Sequence, residues 1–464
     1  MDSINITDKQ TADTLNQQQP SIKPYQRHGR TTAIDDHSDL QVLKRIKRYL
    51  LPKDFVISQD LLNEIVTGYD IGDSLADTLA ADGIRFAKPL QQFIISDSSN
   101  SNSNSNSNSN KFDANLTNNS AFNALAEQFS HHPDWFDPKL AQIGAIAYRR
   151  YPLMLIWLLR NVALMAGYSI PALSLPLIQT GALMHDALPR LMRTYAYILA
   201  VSEHPPLHKP NTNAHNQRQS IEQVLAIGSE GWRQSIKVRQ IHTLVRQNLL
   251  KGKGNAAKGV IPDADQHHNS DGSWNTDYWG LPINQTDMIA THLQFSLLIM
   301  RGLRLLGARI STEEAAGILH LWNLASYWMG VDLDRLPKDE TACWEWLYTY
   351  LSIQQLDFKM GQPLAKALHD LPRQLMGEDN RRGRFVEMVN ASVTRTLVGD
   401  DIGDGLDLPK SKIRFGVLSS VPILFALDTA RQHNQSVAEK LEAFRAKRQD
   451  NMNWWLKKND DYYK

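Results

Sequence analysis

The chain has 464 residues, 42% of them apolar, enough to bury a sizeable core and, by length alone, to form about three domains. Its 50 lysines and arginines against 49 acids leave a formal net charge of +1, which excludes the global basic field of a nucleic-acid binder. One cysteine, Cys343, excludes an intramolecular disulfide framework, a four-cysteine metal site and cofactor attachment through paired cysteines.

Residues 1–38 are polar and without hydrophobic periodicity, and are expected to form a disordered arm. The first residues show no basic segment followed by an apolar run, so no secretory signal is read and the expected location is the cytoplasm. Residues 39–95 predict peripheral helices, with Leu43, Ile46 and Leu50 on one stripe and Leu61, Leu62, Ile65 and Val66 on another, divided at Pro52. Residues 96–120 contain a Ser-Asn alternation from Ser101 to Asn110, which has nothing to bury and reads as a flexible insertion. Asn115-Leu116-Thr117 matches a glycosylation triplet and is read as ordinary linker.

From Ala121 to about residue 430 helical signals follow one another without alternating strands, so the expected fold is all-α. Tyr151 to Thr180 is mostly apolar, but Arg160-Asn161, Pro171 and Pro176 break it below the roughly 20 residues of a bilayer span. A buried helix pair is expected there. A helix beginning at Pro189 sets Arg190, Thr194, Tyr197 and Val201 on one face. Two polar insertions, Ser202 to Gln219 and Lys251 to Asp277, carry histidines 204, 208, 215, 267 and 268, read as solvated. Between them Val238, Ile241, Val245 and Leu249 form a 3.6-period apolar stripe with His242 inside it. Asn284 predicts a helix N-cap, with Ile289, Leu293, Met300 and Leu303 on the buried face and Gly307 at the end. Ser311 with Glu314 predicts a capping box, opening a helix whose Trp322 and Trp328 are read as core. Asp400 to Asp404 lacks the spacing of a calcium loop and reads as a turn. Residues 431–464 end in a tail rich in aromatic and basic residues, expected to be a docked helix or a peripheral contact with a membrane surface.

Several stretches in sequence order resemble the latex-clearing-protein family of rubber oxygenases and their MpaB-type relatives. They are Pro133-Asp134-Trp135-Phe136-Asp137-Pro138, Thr180-Gly181, Arg190-x-x-Arg193-Thr194, Val238-Arg239-Gln240-Ile241-His242, Pro282-Ile283-Asn284-Gln285, Thr291 with Phe295-Ser296, and His320-Leu321-Trp322 followed by Trp328-Met329-Gly330-Val331. The resemblance spans roughly Pro133 to Leu336. It implies a globin-like helical core around a non-covalently bound haem b, with His242 as the proximal iron ligand and Arg190 and Thr194 in the distal pocket. The residues agree with it: a neutral imidazole on an apolar face can bind iron while its other nitrogen donates to a carbonyl, and arginine supplies fixed donors for an oxygen ligand.

Two departures qualify the implied chemistry. Rubber-cleaving members carry a glutamate base upstream of the arginine, yet no Glu lies between Glu127 and Glu203, and Asp186 and Gln179 are the nearby polar alternatives. Arg193 stands where the rubber oxygenase has a lysine that coordinates iron, and a guanidinium has no lone pair for that, so Arg193 is expected to pair with a haem propionate or Asp186. His185, His292 and His320 rank below His242 because only His242 matches the ligand motif. The leading expectation is a haem b-dependent oxygenase using dioxygen to cleave or oxygenate a C=C bond of a hydrophobic small-molecule or polymer substrate, with Leu153 to Leu177 as a channel wall. The alternatives are a haem sensor or electron-transfer protein and a cofactor-free helical interaction protein. The sequence leaves the oligomeric state open.

Overall fold

The computed structural model describes residues 28–100, 114–180, 187–205, 223–253, 269, 271–419, 421–444 and 447. Among these every regular element is helical, and extended pairing is confined to one isolated bridge between Thr31 and Gln354. The all-α expectation holds. Four helices, α1 (Gln41–Tyr49), α2 (Gln59–Gly68), α3 (Ser74–Ala81) and α4 (Ala87–Asn100), precede α5 (Ser120–Ser130) and α6 (Pro138–Tyr148). Then come α7 (Pro152–Tyr168), whose middle Leu159–Leu164 is π-helical, α8 (Pro171–Gln179), α9 (Ala187–Val201) and α10 (Glu230–Leu250). Gln285–Leu293, a π-helical turn Gln294–Leu298 and Ile299–Leu305 run on as α11. The set closes with α12 (Thr312–Trp328), α13 (Glu340–Ser352), α14 (Phe358–His369), α15 (Arg381–Leu397) and α16 (Val421–His433).

Local signals set many of these boundaries. The Asn284 side chain accepts from the Asp287 amide, Ser311 and Glu314 form the reciprocal capping box, and Gly307 leaves α11 with φ of +104°. Trp322 and Trp328 are fully buried. The helix expected at Pro189 begins two residues earlier, and the turn expected at Asp400 is a short helix, Asp400–Gly405. No single helix among the described residues is long and apolar enough to cross a membrane; α6 and α7 pass that test only as a pair bent by 84°. Gly144 of α6 and Gly317 of α12 meet backbone to backbone, so close that a Cβ at Gly144 would lie 2.0 Å from the Gly317 carbonyl carbon.

The N-terminal segments depart from expectation. The arm expected through residue 38 is already docked at His28, because Arg30 is buried in bidentate contact with Asp287 of α11, at 2.7 and 2.9 Å, and donates to Gln354 at 3.0 Å. The helices of residues 39–95 are structural partners of the core rather than peripheral. Asp73 accepts from Arg239 of α10 at 2.7 and 2.9 Å, and Asp77 accepts from Arg246 at 2.6 Å. Arg246 also donates to the carbonyls of Pro282 and Ile283, and Arg239 to Gln128 of α5. Residues 1–27, the Ser-Asn run 101–110, four of the five insertion histidines and the aromatic tail 451–464 lie outside the described residues; the fifth, His204, is buried rather than solvated.

Breaking the Asp73–Arg239 pair strands a buried cation. Asp73→Asn is expected to lower unfolding free energy by about 3–5 kcal/mol, measured by denaturant titration; an unchanged midpoint would show that the pair does not hold α10.

Candidate functional site

Helices α9 and α10 run antiparallel in a legible register. A Cβ at Gly231 would lie 2.6 Å from the Ala200 carbonyl oxygen, and the Tyr197 hydroxyl lies 3.4 Å from Ser235 Oγ. Extending that register by two turns sets Arg190 opposite His242, and the two are electrostatically coupled. Beside this pair lies a cavity of about 1140 Å³, walled by α7, α8, α9, α10 and α11. It is large for a small-molecule site, which spans roughly 300–1,000 Å³.

The faces of α10 divide by function. Arg239, Thr243 and Arg246 point back into the protein and are buried, whereas Val238, Ile241, His242 and Val245 line the cavity. Three of the four stripe residues, Val238, Ile241 and Val245, therefore face the cavity, while Leu249 packs in the core. Ile241 retains 53% of its surface although it belongs to a hydrophobic face. His242 keeps accessible area toward the cavity while lying deep within the protein. Burial, with Arg246 and Arg190 adding to it, pushes its imidazole down to about 4, so it is neutral at physiological pH. The expected Nδ1 bond to a backbone carbonyl is not present: Nδ1 is enclosed without a hydrogen-bond partner.

Across the cavity, the Arg190 guanidinium makes no ion pair or hydrogen bond among the described residues, and burial lowers its pKa, with Tyr168 opposing the shift and Arg193 reinforcing it. Thr194 also lines the cavity, but its hydroxyl donates to the Arg190 carbonyl at 3.1 Å, so toward the cavity it can only accept. Arg193 lies exposed at the rim, near Lys237 of α10 in the lining. Three acids line the cavity: Glu203, Glu230 and Asp287. Asp287 is held by Arg30, Asn284 and Tyr350. Glu203 and Glu230 lie about 20 Å from Arg190 and His242 by helix rise. His185 and Asp186 lie outside the described residues.

Of the lower-ranked histidines, His320 is away from the cavity and accepts from the Asp137 amide at 2.7 Å. His292 does line it, with Nδ1 2.8 Å from Ser326 Oγ and Nε2 enclosed without a partner. Burial pushes His292 down to about 3. The half of the apolar run from Leu164 to Leu177 supplies wall residues, including Leu173, Pro176 and Leu177, while Leu153 lies at the surface. Tyr168 falls within the Leu153 to Leu177 wall read from the sequence and His292 ranks below His242, whereas sequence reasoning missed Lys237 and Met329 as wall residues. Nothing in their local pattern marks them, since each reaches the cavity only through the packing of separate helices.

The catalytic-domain family described as "ER-bound oxygenase mpaB/B'/Rubber oxygenase" matches residues 148–419. A rubber oxygenase of Streptomyces sp. (strain K30) is 24% identical over 202 residues, a match spanning 41% of this chain and 42% of that protein. In three dimensions the chain is similar to latex clearing protein LCP in its closed state, with a TM-score of 0.51 and 18% identity, covering 82% of this chain and 91% of that one.

The neutral, buried His242 has a pH signature. An unfolded histidine titrates near 6.5, so between pH 6.5 and about 4 the unfolded state takes up the proton first and stability falls as pH falls; above 6.5 the contribution vanishes. In ligand-free protein, His242→Leu is expected to flatten this decline by up to about 3 kcal/mol, measured from urea midpoints across that range. Parallel pH profiles would show that His242 is not buried as a neutral base.

Proposed function

The chain belongs to the family of MpaB-type and rubber oxygenase catalytic domains, and from that premise we propose that it is a haem b-dependent oxygenase acting with dioxygen on a C=C bond of a hydrophobic, isoprenoid-like substrate. The observation that carries this reading is the unpartnered His242 imidazole on an apolar face that looks into a cavity rather than into core. Such a surface is unfavourable unless something covers it: exposed apolar area costs about 25 cal/mol per Å², and an enclosed ring nitrogen without a partner adds to that.

The residues fit the group. His242, already neutral, would supply a nitrogen ligand to the iron, Val238, Ile241 and Val245 would pack against the macrocycle, and the exposed Arg193 and Lys237 would supply cations for its propionates. When bound, the haem iron supplies the dioxygen chemistry that no protein side chain can perform. The protein's own contribution is environment. Arg190 offers N–H donors, undiverted by any carboxylate among the described residues, to negative charge that develops on oxygen. Thr194 offers an acceptor one turn on, for a protonated oxygen. The apolar wall from Leu173 to Leu177 keeps water away and aligns an extended hydrocarbon chain.

The distance of Glu203 and Glu230 from Arg190 favours one alternative, a haem sensor that binds gas without turnover. Purified protein incubated with polyisoprene and with shorter terpenoids separates the two: oxygen-dependent carbonyl products support the oxygenase, and reversible gas binding without products supports the sensor. The pyridine haemochrome assay is expected to give one haem per chain, lost in His242→Ala. In Arg190→Leu, product formation is expected to fall by about 10²–10³ with haem retained. Full haem and unchanged iron ligation in His242→Ala would overturn the assignment.

A further inference from the structure

The match to the oxygenase catalytic domain ends at residue 419, and α16 is the first long helix beyond it. This helix is built inside out. Its inward side carries the buried Leu424 and Asp428, flanked by the half-buried Val421 and Arg431. Asp428 accepts from Arg431 Nε and from the Arg309 backbone amide, each at 2.5 Å. The backbone is close-packed as well: a Cβ at Gly307 would lie 2.5 Å from the Val421 carbonyl oxygen. The helix is therefore firmly seated, and by a carboxylate.

Its outward side has no polar residue. Pro422, Ile423, Ala426, Leu427 and Ala430 are all exposed, and their spacing of three and four puts them on one face. Ile423 keeps 66% of its surface and Leu427 39%. A surface helix ordinarily turns its apolar stripe to the core and its polar face to water, so the reversed order marks a face that meets something else. Phe425, also exposed, lies on the flank and is accounted for by the Arg309 guanidinium, 5.5 Å from its ring.

The chain itself carries the complement. Beyond Lys447, the last described residue, come Trp454, Trp455 and Leu456, three consecutive large apolar side chains. They are within reach. The chain from Leu427 to Lys447 is almost continuously helical where described, so about 30 Å separates those two residues at most. The stretch from Lys447 to Leu456 can span about 30–32 Å. A segment tethered this way has an effective concentration on the order of millimolar, which favours it over a separate molecule. Charge argues against an anionic lipid surface: residues 422–430 contain no lysine or arginine, and Arg431 at the edge is committed to Asp428.

We propose that the C-terminal segment folds back so that Trp454, Trp455 and Leu456 cover the outward face of α16, closing a clasp appended to the catalytic domain. The clasp bears on the end of α11 through Gly307 and Arg309. It is independent of the haem reading, because no residue of α16 lines the cavity.

The one native cysteine, Cys343, is buried, which allows disulfide trapping in the full chain. Leu427→Cys combined with Leu456→Cys is expected to close an intrachain disulfide under mild oxidation, faster than Leu427→Cys combined with Lys464→Cys at the tail end. Trypsin cleavage after Lys457 and Lys458 is expected to run about tenfold faster in Leu427→Asp than in the wild type, because cleavage follows the undocked population. Equal closure rates, or equal cleavage rates, overturn the inference. So does a covalent dimer of Leu427→Cys alone, which would mean that a second copy covers the face. Sedimentation of the wild type with phosphatidylserine–phosphatidylcholine vesicles, abolished in Leu427→Asp, would assign the face to lipid and overturn it too.

Discussion

Two arginine–aspartate pairs, one buried and one half-buried, hold α10 from behind, and the cavity depends on them. Arg239 with Asp73 and Arg246 with Asp77 fix the polar face of the helix against α3, while Arg239 reaches α5 and Arg246 reaches the loop before α11. A buried ion pair seldom adds much net stability compared with an apolar substitute, but breaking one is expensive, so such pairs specify orientation more than they add stability. Here they specify which side of α10 turns forward. With Arg239, Thr243 and Arg246 committed to the rear, helical periodicity puts Val238, Ile241, His242 and Val245 on the face that looks into the cavity.

The opposite wall is built by different means. Helix α9 meets α10 closely at Ala200 and Gly231, where the absence of a Cβ permits contact, and the antiparallel register carries Arg190 to the level of His242. The two π-helical stretches, Leu159–Leu164 and Gln294–Leu298, pack in the same region and contribute Leu164, Gln294 and Phe295 to the lining. A π-helical turn shifts the helix register by one residue and frees backbone carbonyls. The Tyr148 hydroxyl takes one of them, donating to the Phe295 carbonyl at 2.5 Å. The result is a site with a neutral base on one helix and, on its neighbour, a cation that has no ion-pair partner among the described residues.

Much of the site was legible in the sequence. Arg190, Thr194 and His242 all line one cavity, as their helical spacing and motif context implied. The capping box at Ser311 and the Asn284 cap were legible because each is a contact between residues three apart in the chain. Other readings failed where a nonlocal partner decided the outcome. Residues 28–38 have no periodicity to announce that Arg30 bonds to Asp287, 257 positions later. The helices of residues 39–95 look peripheral by pattern, yet Asp73 and Asp77 on α3 and its cap orient the helix that carries His242. The carbonyl bond expected for the second imidazole nitrogen of His242 is likewise absent.

What the sequence determined by itself is the helical class, the helix boundaries set by capping residues, and which residue types recur on each face. These follow from a 3.6-residue period and from side chains that bond to their own turn. What only the tertiary structure decided is whether an apolar face meets protein or space. The stripe around His242 has the same pattern as any buried helix face, and only the separation of α7, α8 and α11 from it leaves a cavity of about 1140 Å³. The same holds for the His242 ring. An unpartnered nitrogen has no sequence signature, since having no partner is a property of the surrounding packing and not of the residue.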